Sequence, residues 1–98
     1  GPDLLFALAL VHHLAISNQI PFAKIATLFA TLTSWLVVEF VLRTDPKVEK
    51  LLRNRRDTAS HYSLEAFEVA FFALFDVVEK QVLPPNGRII FLLKKKTI

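Results

Sequence analysis

Two adjacent histidines and one glutamate are the side chains of this sequence best suited to acid–base chemistry. His12 and His13 follow a long apolar run, and Glu39 lies near the end of a second one. An imidazole with an ordinary pKa of about 6.5 can take a proton from a hydroxyl or an amine at neutral pH. A carboxyl group within an apolar strand is also a frequent feature of acid–base sites. We therefore name His12 and Glu39 as candidate catalytic residues.

Each of these residues also has a purely structural interpretation. Two histidines in a helical turn can be satisfied by backbone groups, and a glutamate at a strand end can pair with a lysine or an arginine. A zinc site is disfavoured, because adjacent histidines point to different sides, His61 is distant in sequence and the chain has no cysteine. We therefore expect no metal ion. The sequence also lacks a nucleophile elbow, a phosphate-binding loop and a pair of catalytic carboxylates.

The elements that position these side chains alternate between strands and helices. Residues 3–14 form an apolar run that leads from Asp3 into the two histidines, which is typical of a strand covered on both faces, with a helical turn over 10–17. Residues 21–32 repeat apolar side chains at helical spacing, and residues 35–41 are a second buried strand. Strand, helix and strand predict a parallel pair, whose carboxyl ends are where such sheets gather their chemistry.

The second half of the chain predicts two helices and a hairpin. Aspartate followed by proline is typical of a helix N-terminus, serine is a common N-cap, and a cluster of proline, asparagine and glycine is typical of a turn. The predicted elements are a helix from Asp45-Pro46 to about Arg55, a helix from Ser63 to about Ala73, and strands over 75–83 and 88–93 joined by a turn at 84–87. Two strands joined by so short a turn should pair antiparallel. The phenylalanines of the second helix are assigned to the core.

Composition narrows the class of protein. The chain has 98 residues, of which 53% are hydrophobic, so it is one small domain with more apolar sequence than a globule of this size can readily cover. We expect a partner chain, a second copy or a missing piece of the same domain to take the excess. Polar residues interrupt the most apolar stretch, 20–42, so we expect no membrane span.

Charge and cysteine content bear on nucleic-acid binding and on the location of the protein. The net charge of +3 comes mainly from short basic clusters at 53–56 and 94–96, which lack aromatic residues placed to stack on bases. We therefore expect no nucleic-acid binding. The absence of cysteine and of a recognisable secretory leader predicts a cytoplasmic protein.

The order of these segments resembles the C-terminal half of a class I S-adenosylmethionine-dependent methyltransferase. The segments that carry the resemblance are the run 3–14 with its His-His-Leu exit, Trp-Leu-Val-Val-Glu-Phe-Val at 35–41, Asp45-Pro46 with Leu51-Leu52 and Arg55, Tyr-Ser-Leu-Glu-Ala-Phe at 62–67, and Arg-Ile-Ile-Phe-Leu-Leu at 88–93. The resemblance covers essentially the whole chain. It implies an α/β fold with a truncated Rossmann-like sheet, made of strands four, five, seven and six of the full fold. Residues 1–98 would then be a single partial domain that ends in an antiparallel hairpin, with helices on the faces of the sheet.

The resemblance also implies a site at the exit of the first strand. In similar methyltransferases this exit lines the methionine end of the cofactor, which assigns Ala9, Leu10 and His13 to the cofactor side and His12 and Glu39 to the reaction centre. Of the two histidines, His13 is expected to pack or hydrogen-bond within the fold. The chain has no glycine-rich turn to hold the cofactor's carboxylate and no acidic residue placed to bind its ribose. We therefore expect the chain alone neither to bind S-adenosylmethionine tightly nor to methylate a substrate.

The expected function is that of a fragment of a cytoplasmic methyltransferase, whose methyl acceptor the sequence does not identify. Its first strand would lie at a sheet edge, so we expect it to join the missing N-terminal half or to form a homo-oligomer. One alternative is a non-enzymatic interaction module in which the apolar helices over 21–32 and 63–73 bind a partner chain. Another is a basic amphipathic protein that lies on a membrane surface.

Overall fold

The computed structural model describes residues 4–55, 57, 60–84 and 87–97. The elements within this part of the chain are β1 (Leu4–Ala7), a short π-helix (His13–Ser17), α1 (Phe22–Leu32), β2 (Trp35–Val41), α2 (Pro46–Arg53), α3 (Leu64–Phe72), β3 (Phe75–Leu83) and β4 (Arg88–Lys95). The strands form one sheet in the order β1-β2-β4-β3. The fold is therefore α/β, as the sequence predicts.

The sheet is mixed, because its strands do not all run in the same direction. β1 and β2 are parallel, while β4 is antiparallel to both of its neighbours, β2 and β3. The predicted C-terminal hairpin is confirmed, and its second strand lies beside β2 and not at the outside of the sheet. Part of the predicted turn at 84–87 lies outside the described residues.

β1 is much shorter than the apolar run that contains it. The strand ends at Ala7, Ala9 takes a left-handed backbone conformation with φ of 55°, and the Leu14 N–H then donates to the Leu10 carbonyl at 3.1 Å. The prediction of a long strand is therefore wrong beyond Ala7, whereas the predicted helical turn over 10–17 is confirmed by a helical segment over 11–17. The rest of the run is apolar for a different reason, since it turns into a short helical segment that buries Val11 in the core. Asp3 lies outside the described residues.

The helices begin close to their predicted positions. Asp45 caps α2 by accepting the Lys47 N–H on Oδ1 at 2.9 Å, with proline at the first helical position. Ser63 caps α3 by accepting the Ala66 N–H on its hydroxyl at 3.0 Å. α1 begins one residue later than predicted, with Pro21 at the N-cap. The α2 helix ends at Arg53, slightly before its expected end.

The core fills one face of the sheet. Alternate β2 side chains, those of Leu36, Val38 and Phe40, are fully buried on this face. An aromatic cluster joins them to α1 and α3, and its members are Phe22, Phe40, Tyr62, Phe67, Phe71 and Phe91. The assignment of the α3 phenylalanines to the core is confirmed for Phe67 and Phe71, which are fully buried, whereas Phe72 is half-buried. The apolar sides of α1 and α3 therefore face the fold itself.

The two edges of the sheet differ in character. At the β1 edge, Leu4 and Phe6 are 45% and 64% exposed. The β3 edge carries exposed charges, including Asp76 and Glu79, and its pairing with β4 has a register shift between Val77 and Glu79. Among the described helices, none has the length and apolar character that crossing a membrane requires.

Candidate functional site

The candidate site is the turn that follows β1, together with the end of β2. The Ala9 backbone N–H donates a 2.8 Å hydrogen bond to Oε1 of Glu39, which lies thirty residues later in the chain. β1 and β2 are parallel and in register through Ala7 and Val38, so the residues that follow each strand meet at the same edge. The structure thus brings the predicted residue Glu39 to the turn that carries the histidines.

The burial of the two histidines is the opposite of what the sequence predicts. His12 is buried, at 6% exposure, whereas His13 is exposed. The helical segment explains this, because His12, Ala15 and Ile16 have helical spacing and share its inner side. The imidazole rings remain close, with centroids 4.3 Å apart. His12 takes the packed position, and His13, which was expected to pack or hydrogen-bond within the fold, is not packed.

Burial sets the protonation state of His12. Desolvation lowers the pKa of His12 below its ordinary value, and the neighbouring His13 and Arg88 lower it further, while the carboxylates of Glu39 and Asp45 act in the opposite direction. His12 is therefore neutral at neutral pH. Its Nδ1 is buried and makes no hydrogen bond within the described part of the chain. A neutral imidazole of this kind can accept a proton.

Glu39 forms an ion pair with Arg88, in agreement with the structural interpretation that a glutamate at a strand end pairs with a lysine or an arginine. Its Oε2 lies 3.3 Å from Nη1 of Arg88, and Nη2 of Arg88 lies 3.9 Å from Oδ2 of Asp45. Both carboxylates are buried, at 6% exposure. One guanidinium thus lies between two buried carboxylates from β2 and from the cap of α2.

Arg88 is the member of this group that the sequence analysis does not single out. Its position follows from the register of the sheet, in which Val41 of β2 is opposite Arg88 of β4. Glu39 is two residues from Val41 and therefore on the same face, diagonal to Arg88. A hairpin whose second strand is aligned with β2 is the signal that could have identified this pair.

Ala9 and Leu10 are at the surface of the same turn. Both are exposed, and Leu10 retains 40% of its accessible surface. Among the five predicted site residues, these two and His13 are therefore the ones that a bound molecule can reach directly. His12 and Glu39 lie beneath them.

A separate groove lies at the N-terminal ends of α1 and α3. Phe22 and Tyr62 form part of its apolar wall, and Asp57, His61 and Glu65 contribute polar groups. Its volume is about 970 Å³, and it contains none of the five predicted site residues. Nothing in the sequence analysis pointed to it. Across the described ranges, no three or more histidine, aspartate or glutamate residues are grouped so that they could hold a metal ion.

Comparison with known proteins identifies a relative of this chain. The chain is 32% identical over 93 residues to "Nodulation protein NoeA" of Rhizobium meliloti (strain 1021), and the match covers 95% of this chain and 20% of that protein. The chain thus spans about a fifth of the length of the relative. No protein-family model matches the chain, and no solved structure matches it either.

Proposed function

We propose that this chain is the C-terminal part of a class I S-adenosylmethionine-dependent methyltransferase domain. The observation that carries the proposal is the arrangement of the sheet, in which a parallel pair is followed by a reversed last strand inserted before its own hairpin partner. The resemblance requires this order of strands four, five, seven and six. A hairpin that simply continued the sheet outward would have placed β3 beside β2.

The similarity to NoeA supports the proposal that this chain is one part of a longer protein. Nearly the whole chain aligns with a fifth of a longer protein, as expected for a partial domain. The relative's name concerns nodulation and specifies no reaction. Methyl transfer therefore rests on the order of the segments and of the strands, and the methyl acceptor stays open.

Within the proposed domain, the turn after β1 forms one wall of the site. Ala9, Leu10 and His13 are assigned to the cofactor side because they are exposed at the carboxyl end of β1. His12 is assigned to proton transfer, since burial keeps its imidazole neutral, but in this chain it lies beneath the turn and a bound molecule does not reach it directly. Glu39 contributes to the same end of the sheet by accepting the hydrogen bond from the Ala9 N–H.

The chain alone does not fit S-adenosylmethionine. Methyltransferases of the class that it resembles hold the cofactor's carboxylate with a glycine-rich turn after the first strand of the full fold. The one glycine among the described residues, Gly87, has φ of 63° in the hairpin and lies against Leu42 and Thr44, on the other side of β2 from β1. We therefore propose that the isolated chain lacks activity and that the remaining cofactor contacts come from another part of a longer protein.

The proposed partner is the missing N-terminal half of the domain, or a second copy of the chain in its place. β1 supports this, because its exposed apolar residues Leu4 and Phe6 lie at an edge with unpaired strand positions. A strand added there would continue the parallel part of the sheet and cover these side chains.

The test is a calorimetric titration of S-adenosylmethionine into two samples. One sample contains the chain alone, and the other contains the chain mixed with the N-terminal half of a class I methyltransferase, with association of the halves checked by sedimentation. We expect binding only in the associated mixture. Leu10→Lys should weaken that binding by about tenfold, because it places a positive charge beside the cationic sulfonium of the cofactor. Leu28→Lys, at a similarly exposed leucine of α1, is the matched control and should leave binding unchanged.

Two results would contradict the proposal. Tight binding to the chain alone would mean that the cofactor site lies elsewhere on the chain. An associated mixture that binds no cofactor would remove the methyltransferase interpretation. The second result would favour the interaction module, for which Val69, Leu28 and Leu32, at 75%, 50% and 43% exposure, are exposed apolar residues on the helices.

A further inference from the structure

A partly buried polar network connects the turn after β1 to the rest of the sheet. The Ala9 N–H donates to Oε1 of Glu39 at 2.8 Å. Oε2 of the same carboxylate faces Nη1 of Arg88 at 3.3 Å, and Arg88 also approaches Asp45. The network thus joins β1, β2, β4 and the cap of α2 through one carboxylate and one guanidinium.

The turn needs such a contact because its backbone conformation is unfavourable. Ala9 has φ of 55°, and a residue with a Cβ in the left-handed region costs free energy unless its surroundings hold it there. The Glu39 carboxylate meets the Ala9 N–H at this position. Leu10 follows directly and is exposed, and the helical segment that begins at Val11 buries His12. Ala9 therefore lies between β1 and the residues that carry these two side chains.

The carboxylate is itself held in place. Glu39 is buried, and a buried carboxylate is stable only when it is paired and hydrogen-bonded. Arg88 provides the pairing from β4, and the side chain of Arg88 is 31% exposed, so the guanidinium remains partly hydrated. Both oxygens of Glu39 are engaged by these contacts, which makes its side chain a fixed acceptor at a fixed distance from the turn.

We propose that Glu39 is a positioning residue, which Arg88 holds in place and which fixes the left-handed turn at Ala9 and thereby the placement of His12 and Leu10. This assigns to Glu39 a role different from direct proton exchange with a substrate. The use of the positioned side chains in methyl transfer rests on the proposed function. The positioning itself does not, and it can be measured on the chain alone.

The first test is amide hydrogen exchange of Ala9 in three variants. Glu39→Gln keeps a carbonyl oxygen for the Ala9 N–H, so exchange at Ala9 should stay within about threefold of wild type, whereas Glu39→Leu removes the acceptor and should speed it by about tenfold or more. Glu68→Gln is the matched control, because Glu68 pairs with Lys80 at 3.4 Å elsewhere on the chain. The Phe67 amide, which donates to the Ser63 carbonyl in α3, reports whether any change is global.

The second test follows the His12 imidazole by NMR titration, and it does not depend on Glu39→Leu being folded. The charged or titratable groups around His12 are His13, Glu39, Arg88 and Asp45. Removing the carboxylate in Glu39→Gln should lower the pKa of His12, and removing the guanidinium in Arg88→Met should raise it. Opposite shifts are a result that a general loss of stability would not produce.

The proposal is overturned by either of two outcomes. One is an Ala9 amide that exchanges at the wild-type rate in folded Glu39→Leu. The other is a His12 pKa that stays unchanged, or that moves in the same direction, in Glu39→Gln and Arg88→Met. Neither outcome depends on cofactor binding, so a failure of the methyltransferase proposal is distinguishable from a failure of this one.

Discussion

The two edges of the sheet meet solvent in opposite ways. The β3 edge carries Asp76, Glu79 and Lys80 in exposed positions and is interrupted by a register shift after Val77. The β1 edge, Leu4–Ala7, carries only apolar side chains, and its one protective feature is its shortness. Charges and irregular pairing are the means by which proteins prevent another strand from adding to a sheet.

The difference indicates which side of the sheet is an outer surface. β3 has the features of a strand that ends a sheet. β1 has the composition of an interior strand, and Phe6 at 64% exposure is more solvated than a phenylalanine in the middle of a sheet would be. The comparison therefore favours a further strand at β1 and none at β3, in agreement with the proposed partial domain.

The largest expected effect separates the filled face of the sheet from the β1 edge. Phe67 is fully buried between α1 and the sheet, whereas Phe6 is mostly exposed. Phe67→Ala should lower the free energy of unfolding by about 3–5 kcal/mol, because it leaves a cavity, and Phe6→Ala should change it by about 0.5 kcal/mol or less. Urea denaturation of dilute samples measures both. Similar losses in the two variants would mean that the β1 edge is already packed in the isolated chain.

A smaller effect concerns ionisable groups on the two sides. The charged side chains of β3 are exposed to solvent. His12, which follows the turn after β1, is buried, and its pKa is lowered in the folded chain. The unfolded chain therefore binds this proton more readily, so the stabilising contribution is complete above the ordinary pKa of histidine and is lost as the pH falls through the folded pKa.

Stability curves between pH 8 and 5 measure this contribution. His12→Gln should reduce the loss of unfolding free energy on the acid side. His61→Gln, at an exposed histidine, is the control and should leave the pH dependence as in wild type. If the two variants have the same acid-side slope, His12 is not the group responsible.

Local patterns were sufficient for much of the fold. The caps at Asp45 and Ser63, the apolar periodicity of α1 and the strands β2 to β4 are set by neighbouring residues, and the structure contains them. The helical turn after β1 was also predicted, but the end of the strand at Ala7 and the left-handed turn at Ala9 were not. No glycine or proline marks this turn in the sequence. It is held by a hydrogen bond between Ala9 and Glu39, which are thirty residues apart, and local patterns do not reveal such a contact.

The candidate site was predictable in part for the same reason. The polar side chains were identified by type, and the parallel pair correctly placed Glu39 near the turn. Which histidine is buried depends on where the helical segment begins, and this in turn depends on Ala9. The predicted strand order already placed β4 beside β2, but the register that puts Arg88 diagonal to Glu39 is a property of the folded sheet.

Sedimentation velocity at tens of micromolar tests the comparison of the two edges most directly. Three samples are needed: the wild-type chain, Phe6→Lys on β1 and Val82→Lys on β3. Val82 is 58% exposed, close to the exposure of Phe6, so the two substitutions place the same charge at equivalent depths on opposite edges.

We expect the wild-type chain and Val82→Lys to sediment as dimers or larger species, and Phe6→Lys to sediment as a monomer. A compact monomer for the wild-type chain at this concentration would mean that the β1 edge does not join another strand. So would dissociation by Val82→Lys with no effect of Phe6→Lys, because the β3 edge would then be the one that joins another strand.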